Sequence, residues 1–440
     1  MTIEVIYATK SSGVTTSLTI SMSRSGPKER KLPRIISQEK VYEQGDVDLE
    51  LDWLEQRLPN QRDDQIIAIY ADISPEGVLA LFSAIRLGLK VAICPLREPE
   101  PVLRQWLRDV GVNSYVIPSP QFVSILRTSG STGRPKNAVI SGSAHWASAC
   151  SVNEFFGFTK DGVWALNLPL YHVSGLGILF RVLLADAGLF IAKESEDLHV
   201  ALKHRQITHL SLVPTQLRRL LDARADLSGL KAIVVGGDAL PDDLRAQVVA
   251  LNLPVYETYG LTETASMVWA RACRKNQHGT VLPHAIMRLA EDGEILVGGQ
   301  SLFAGYVGGE SFDRSGQFFK TGDLACDLTL SHGPLVKGRK SNRIISGGEN
   351  VQAEEIERIL EAHPAIISSI VVGRKDANFG MRPQAYIQWQ KNPVSDDELI
   401  AYLKSRLARY KIPKAFLPWP ENAPSGIKKP RAWFSSYVAE

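Results

Sequence analysis

Short apolar runs and amphipathic stretches alternate along most of this chain, and their spacing predicts the elements. "QIIAIYA" (65–71) is an apolar run between polar neighbours, the mark of a buried strand. "PEGVLALFSAIRLG" (75–88) follows, with Pro75 placed to open a helix and Gly88 to close it. "KVAICP" (90–95) is the next strand. Strand, helix and strand at this spacing predict a right-handed βαβ unit in a parallel sheet. The alternation returns in "THLSLVP" (208–214), then "TQLRRLLDAR", then "KAIVVGG" (231–237). "PDDLRAQVVALN" follows, with Pro241 and two acidic residues in its first turn, where the helix dipole favours them. "PVYETYG" reads as a strand and loop. Ligands are expected at the carboxyl ends of such strands.

The pattern changes after about residue 276. "DGEILVGG" (292–299) and "GQFFKTGDLACD" (316–327) read as strands with turns, and predict a β-rich subdomain. A third region follows residue 338. "AEEIERILEAHP" has apolar residues at helical spacing, "AIISSIVVG" is a strand, and "SDDELIAYLKSRL" (395–407) is a helix capped by Ser395. This is a small α+β domain of about a hundred residues.

Composition narrows the class. The 440 residues suit two or three domains, and 44% hydrophobic content suffices for large cores. Fifty basic against 47 acidic residues give a net charge of +3 with no long Lys/Arg block, which argues against a dedicated nucleic-acid binder. Cys94, Cys150, Cys273 and Cys326 are far apart, so a zinc site is not expected and buried reduced thiols are. The N-terminal stretch has no signal-type apolar region and no apolar run reaches membrane-spanning length. A soluble, cytoplasmic protein is expected.

Four loops carry polar groups suited to chemistry. "RTSGSTGRPKNAV" (127–139) follows the strand-like "FVSIL", and its hydroxyls and N–H groups could wrap phosphate, with Lys136 as a point charge. It is not a Walker loop, because Gly130 and Gly133 are too close and Asn137 follows the lysine. Taken alone it is equally a flexible linker. "ETYGLTETAS" (257–266) offers an aromatic face at Tyr259, a hydroxyl at Thr262 and a hard carboxylate at Glu263, or else an ordinary turn with capping groups. In "FKTGDLA" and "KGRKSNRIISGGENVQAEEIE", Asp323 and Arg339 could hold ribose hydroxyls, and Gly347 and Gly348 allow close backbone approach. A turn aspartate is the plainer reading of Asp323. "SGIKKPRAWF" (425–434), alone, is a solvated tail.

In this order, "TSGSTGRPK", "YGLTE", "KTGD", "GRKSN" with "SGGENV", and the terminal "GIK" resemble the core motifs of the adenylate-forming superfamily, which includes acyl-CoA synthetases. The resemblance runs from about residue 63 to the end. It implies an α/β protein with a large N-terminal domain (1–340) of parallel-sheet subdomains plus a β-rich subdomain at about 278–337. A small mobile C-terminal domain (341–440) would follow. It implies ATP, Mg2+ and coenzyme A as reactants, with small-molecule partners only. Thr128, Ser129, Gly130, Ser131, Thr132, Gly133 and Lys136 would hold the β- and γ-phosphates. Gly237, Thr258 and Gly260 would contact ATP, Tyr259 would stack near the adenine, Asp238 would reach the adenine amino group or merely cap the next helix, and Asp323 and Arg339 would bind the ribose. Thr262 would contact the α-phosphate, Glu263 would hold the metal, and Lys428 would bridge the carboxylate and α-phosphate. Gly347 and Gly348 would line the pantetheine passage.

"LPLYHVSGLGILFR" (168–181) resembles, more narrowly, members that take 2-succinylbenzoate in menaquinone or phylloquinone biosynthesis. His172 and Ser174 would contact that acid, Gly175 and Gly177 would leave room for its ring, and Arg181 would meet its second carboxylate, unless Arg181 is a surface helix residue and His172 a core histidine. Another acyl- or aryl-CoA synthetase, or a silent nucleotide-binding relative, stays open. The sequence departs from the family at Ser341 in the hinge, Asp238, Asn137 and Ala353.

Overall fold

The computed structural model describes residues 5–6, 34–37, 41–42, 66–94, 110, 122–128, 136–204, 206–274, 277–309, 317–325, 336–424 and 431–437. Residues Ser129–Gly133 of the first loop and Lys428, Cys326 lie outside them.

The first βαβ unit forms as its pattern requires. Strands Ile67–Tyr70 and Lys90–Cys94 pair in parallel around helix Pro75–Leu87. Ser74 caps that helix by accepting from the Gly77 N–H at 3.1 Å, and Gly88 ends it with φ +69°. The six-stranded sheet continues through Val123–Thr128 and then turns antiparallel at Lys136–Ser141 and Gly305–Tyr306. A nine-stranded sheet runs in parallel through Val163–Leu166, His209–Leu212, Ala232–Val235 and Val255–Leu261, and becomes antiparallel at Ser266–Ala272. Helices Gly142–Phe156 and Val173–Ala185 belong to the apolar core shared by these two sheets.

Strands from Ala285–Leu289 to Val336–Arg339 form a four-stranded antiparallel sheet. The last sheet starts at Arg343–Ser346, with helices Ala353–Glu361 and Asp396–Lys404 on a core drawn from residues 344 onward. Ser395 caps the second helix, accepting from the Glu398 N–H at 3.2 Å. "YGLTE" differs from the strand-and-loop reading: the strand runs to Leu261 and passes into a one-turn 3-10 helix, Thr262–Thr264. Cys94 and Cys273 are buried free thiols, whereas Cys150 is exposed, because it faces outward from its helix. No helix among the described residues is long and apolar enough to cross a membrane.

Candidate active site

The Val255–Leu261 strand and the turn after it organise the site. Pairing with Ser266–Ala272 slips register between Tyr259 and Gly260. Such a bulge re-aims the residues that follow. It brings the backbones so close that a Cβ on Gly260 would sit 2.1 Å from the Ser266 carbonyl oxygen, so only glycine fits. Thr264 locks the turn from inside. Its buried hydroxyl accepts from the Leu261 N–H at 2.9 Å and lies 2.8 Å from the Ser266 carbonyl. The chain then leaves through Ala265 and Ser266, both non-glycine residues with positive φ (+49° and +101°). Such strain persists only where the surroundings hold it.

On one side of this strand lie the groups expected around the nucleoside. The Tyr259 hydroxyl donates to Asp323 Oδ2 at 2.8 Å, and Arg339 Nε lies 2.7 Å from Asp323 Oδ1. Asp323 and Arg339 face each other in register across two strands. Burial pushes the Asp323 carboxyl above its ordinary value, against the pull of the Arg339 charge and the Tyr259 hydrogen bond. Burial, reinforced by the Asp323 charge, raises the Tyr259 phenol far above its usual range and keeps it a donor. Asp323 is therefore more than a turn aspartate. The Thr258 hydroxyl is committed to the Val235 carbonyl at 3.0 Å. Gly237 and Asp238 are exposed. Asp238 accepts from the Ala239 N–H at 2.8 Å and does not cap the following helix, which starts at Asp242 behind Pro241.

Behind the strand, Glu257 accepts from Arg245 Nη1 and Nη2 at 2.6 and 3.1 Å and from Arg271 Nη2 at 2.7 Å. Burial alone would raise this carboxyl, but the two arginines overcome that and hold it below its usual value.

Glu263 lies near the strand that starts at Lys136, joined to it through Tyr306. Its Oε1 accepts from the Tyr306 hydroxyl at 2.6 Å, and its backbone carbonyl accepts from the Phe303 N–H at 2.8 Å. Among the described residues, Tyr306 is the side-chain donor seen on this carboxylate, at Oε1. Lys136 Nζ stands 4.9 Å from the centre of the Tyr306 ring. Thr128 and Lys136 are partners in register at the facing ends of two antiparallel strands. A half-buried carboxylate with one oxygen to spare fits Mg2+ carried by a nucleotide. No group of three or more His, Cys, Asp or Glu among the described residues could hold a metal alone, so phosphate oxygens would complete the set.

The acyl stretch lies on the far side of the turn. Helix Val173–Ala185 carries Arg181, which is 2% exposed and so is no surface residue. Its Nη2 donates to Ser266 Oγ at 3.0 Å, and its guanidinium sits 5.0 Å from the Trp164 ring centre. It has no carboxylate partner among the described residues. Desolvation by burial pulls its pKa down, to about 9, and it stays charged at neutral pH. Gly175 does not leave open room. A Cβ there would lie 2.2 Å from the Pro169 carbonyl oxygen, so the glycine serves close packing of the helix on its own entry loop. Gly177 faces the guanidinium, with a Cβ 3.3 Å from Arg181 Nη2. His172 is the exposed residue that precedes the helix, not a core histidine, and Ser174 is half-buried in its first turn.

Gly347 and Gly348 form the turn between strands Arg343–Ser346 and Glu349–Gln352 of the last sheet, with φ +58° and +85°, and both are exposed. The Gly347 N–H donates to the Phe379 carbonyl at 2.9 Å. At the hinge, Glu354 accepts from the Arg339 N–H at 3.2 Å and from Asn342 Nδ2 at 2.5 Å, and Ser341 is exposed. Sequence reasoning missed Tyr306, Ser266, Trp164 and Glu257. Their roles depend on partners 43 to 85 residues away for the first two, and no local pattern announces them.

The fold and this site define the adenylate-forming class of AMP-binding enzymes. Residues 118–307 match the AMP-binding enzyme family and residues 355–424 match the AMP-binding enzyme C-terminal domain. The 2-succinylbenzoate–CoA ligase of Salmonella typhimurium is 37% identical over 73% of this chain and 70% of its own length, and that of Escherichia coli 32% over 83% and 86%. The o-succinylbenzoate CoA synthetase of Bacillus subtilis, solved with its acyl-adenylate intermediate, superposes with TM-score 0.81 at 25% identity over 93% of this chain and 96% of that one. The same protein solved with ATP and a magnesium ion gives 0.78 at 25% identity over 91% and 96%. The chain belongs to the 2-succinylbenzoate–CoA ligase family.

Proposed function

We propose that this chain joins 2-succinylbenzoate to coenzyme A at the cost of ATP, within menaquinone or phylloquinone biosynthesis. In the first half-reaction the substrate carboxylate attacks the α-phosphorus of ATP. The bond to the bridging oxygen breaks, pyrophosphate leaves, and an acyl-adenylate remains. In the second, the thiol sulfur attacks the acyl carbon, its proton goes to solvent, and AMP departs, giving succinylbenzoyl-CoA.

A carboxylate is already nucleophilic at neutral pH, so the site needs alignment and charge neutralisation rather than a general base. Tyr259 and the Asp323–Arg339 pair would fix the nucleoside. Thr262 would meet the α-phosphate, and residues 128–136 the leaving pyrophosphate. Mg2+, held by Glu263 with phosphate oxygens, would supply Lewis-acid charge neutralisation. Lys428 would add its charge to the first transition state. Gly347 and Gly348 would then replace it when the small domain, taken as 341–440, rotates against the large domain, taken as 1–340. The separate core built from residues 344 onward supports that division. A cytoplasmic location belongs to the same proposal.

One observation carries the substrate: Arg181, the buried guanidinium that ends the acyl stretch and has no carboxylate partner among the described residues. A buried cation of this kind is suited to an acid that brings a second carboxylate. The test is ATP–pyrophosphate exchange across carboxylic acids. Succinylbenzoate is expected to support exchange. Exchange with benzoate or a fatty acid but none with succinylbenzoate would refute the substrate.

A further inference from the structure

Tyr306 lies outside every motif that points to the nucleotide, yet it touches two of the charged groups placed there. Its hydroxyl donates to Glu263 Oε1 at 2.6 Å, and its ring lies under Lys136 Nζ at 4.9 Å. We propose that Tyr306 is a positioning residue for the metal–pyrophosphate end of the site: its hydroxyl aims the Glu263 carboxylate at the metal, and its ring seats Lys136. The inference rests on the reading of Glu263 as the metal ligand.

The segment around Tyr306 is built to be rigid. The Gly305–Tyr306 strand pairs with Ala138 and Val139 on the strand that starts with Lys136. The Ala304 N–H donates to the Val139 carbonyl at 2.7 Å and the Val307 N–H to the Asn137 carbonyl at 2.9 Å. Phe303, buried, packs edge-on to the Tyr306 ring at 4.8 Å and donates its N–H to the Glu263 carbonyl. The Lys136 strand, the Glu263 turn and the tyrosine therefore share one backbone frame. A donor on Oε1 fixes the carboxylate's rotation and leaves Oε2 for the cation. Partners of this kind behind a metal ligand typically govern metal affinity by about 10- to 100-fold. The ring face gives the Lys136 ammonium a seat that does not neutralise its charge, which a metal-bound pyrophosphate needs.

The measurement is the gain in affinity that Mg2+ gives to α,β-methylene-ATP, read by calorimetry as the ratio of Kd in EDTA to Kd in Mg2+. The full chain is used, and no turnover is involved. Tyr306→Phe keeps the ring and its packing; the gain is expected to fall about tenfold, with Kd in EDTA unchanged. Tyr306→Leu is expected to lose the gain and also to weaken Kd in EDTA about threefold, because Lys136 loses its seat. Glu263→Gln is the control and should abolish the gain. If Glu263→Gln loses the gain while Tyr306→Phe keeps it in full, the role of Tyr306 is overturned and the metal site stands. If Glu263→Gln keeps the full gain, the reading of the site falls, and this inference with it. If Tyr306→Leu fails to fold, Tyr306→Phe alone decides.

Discussion

Replacing Arg181 with methionine separates what this residue does for the fold from what it does for the substrate. The guanidinium is 2% exposed, and its recorded partners are Ser266 Oγ and the Trp164 ring. Desolvation by burial lowers its pKa, which means that burial works against the charged folded state. The hydrogen bond and the ring give part of this back. Exchanging a buried charge for an apolar group of like volume commonly stabilises by about 1–4 kcal/mol, and Arg181→Met is expected in that range. Affinity should move the other way: losing one partner of a buried charge pair costs about 2–5 kcal/mol, about 30- to 5,000-fold in Kd for succinylbenzoate. Denaturant unfolding and calorimetry measure the two effects. A monocarboxylate analogue without the second carboxylate should bind both proteins alike. Unchanged succinylbenzoate affinity, or a variant less stable than wild type at neutral pH, would refute the reasoning.

Further expectations concern the remaining groups of the site. Asp323→Asn should weaken ATP binding about tenfold through the lost charge on Arg339. Because burial raises the Asp323 carboxyl, wild-type ATP affinity should fall on acidification above the usual aspartate range. That acid limb should vanish in the variant, and a limb retained in calorimetry would assign it elsewhere. The raised carboxyl also costs stability once ionised, a cost relieved as pH falls, so Asp323→Asn should be no less stable at pH 7. Gly175→Ala sets a Cβ 2.2 Å from the Pro169 carbonyl oxygen, so unfolding free energy should drop by about 2 kcal/mol or more; an unchanged urea midpoint contradicts the close packing. Lys428→Ala should slow adenylation by about 10²- to 10³-fold and spare thioester formation from preformed adenylate; equal loss in both half-reactions contradicts the alternating-domain reading.

Local rules decided much of this protein in the sequence. The strand and helix at 67–87 follow from apolar spacing, a serine cap and a closing glycine, all satisfied within a few residues. The helix behind Ser395 forms for the same reason. The order of motifs identified the family, because glycines, hydroxyls and charges in short loops are direct signatures of phosphate and sugar chemistry. Tertiary structure decided what those residues touch. In sequence Arg181 could face water or substrate, and only packing against Trp164 and Ser266, far along the chain, buries it. Gly175, read as space for a ring, is set by a carbonyl across its own loop. The bulge at Tyr259 and Gly260, the strained pair Ala265–Ser266, and the tyrosine behind Glu263 all arise where strands meet. Their partners come from distant segments. Periodicity reports which face of an element is buried, and it carries no record of what lies opposite.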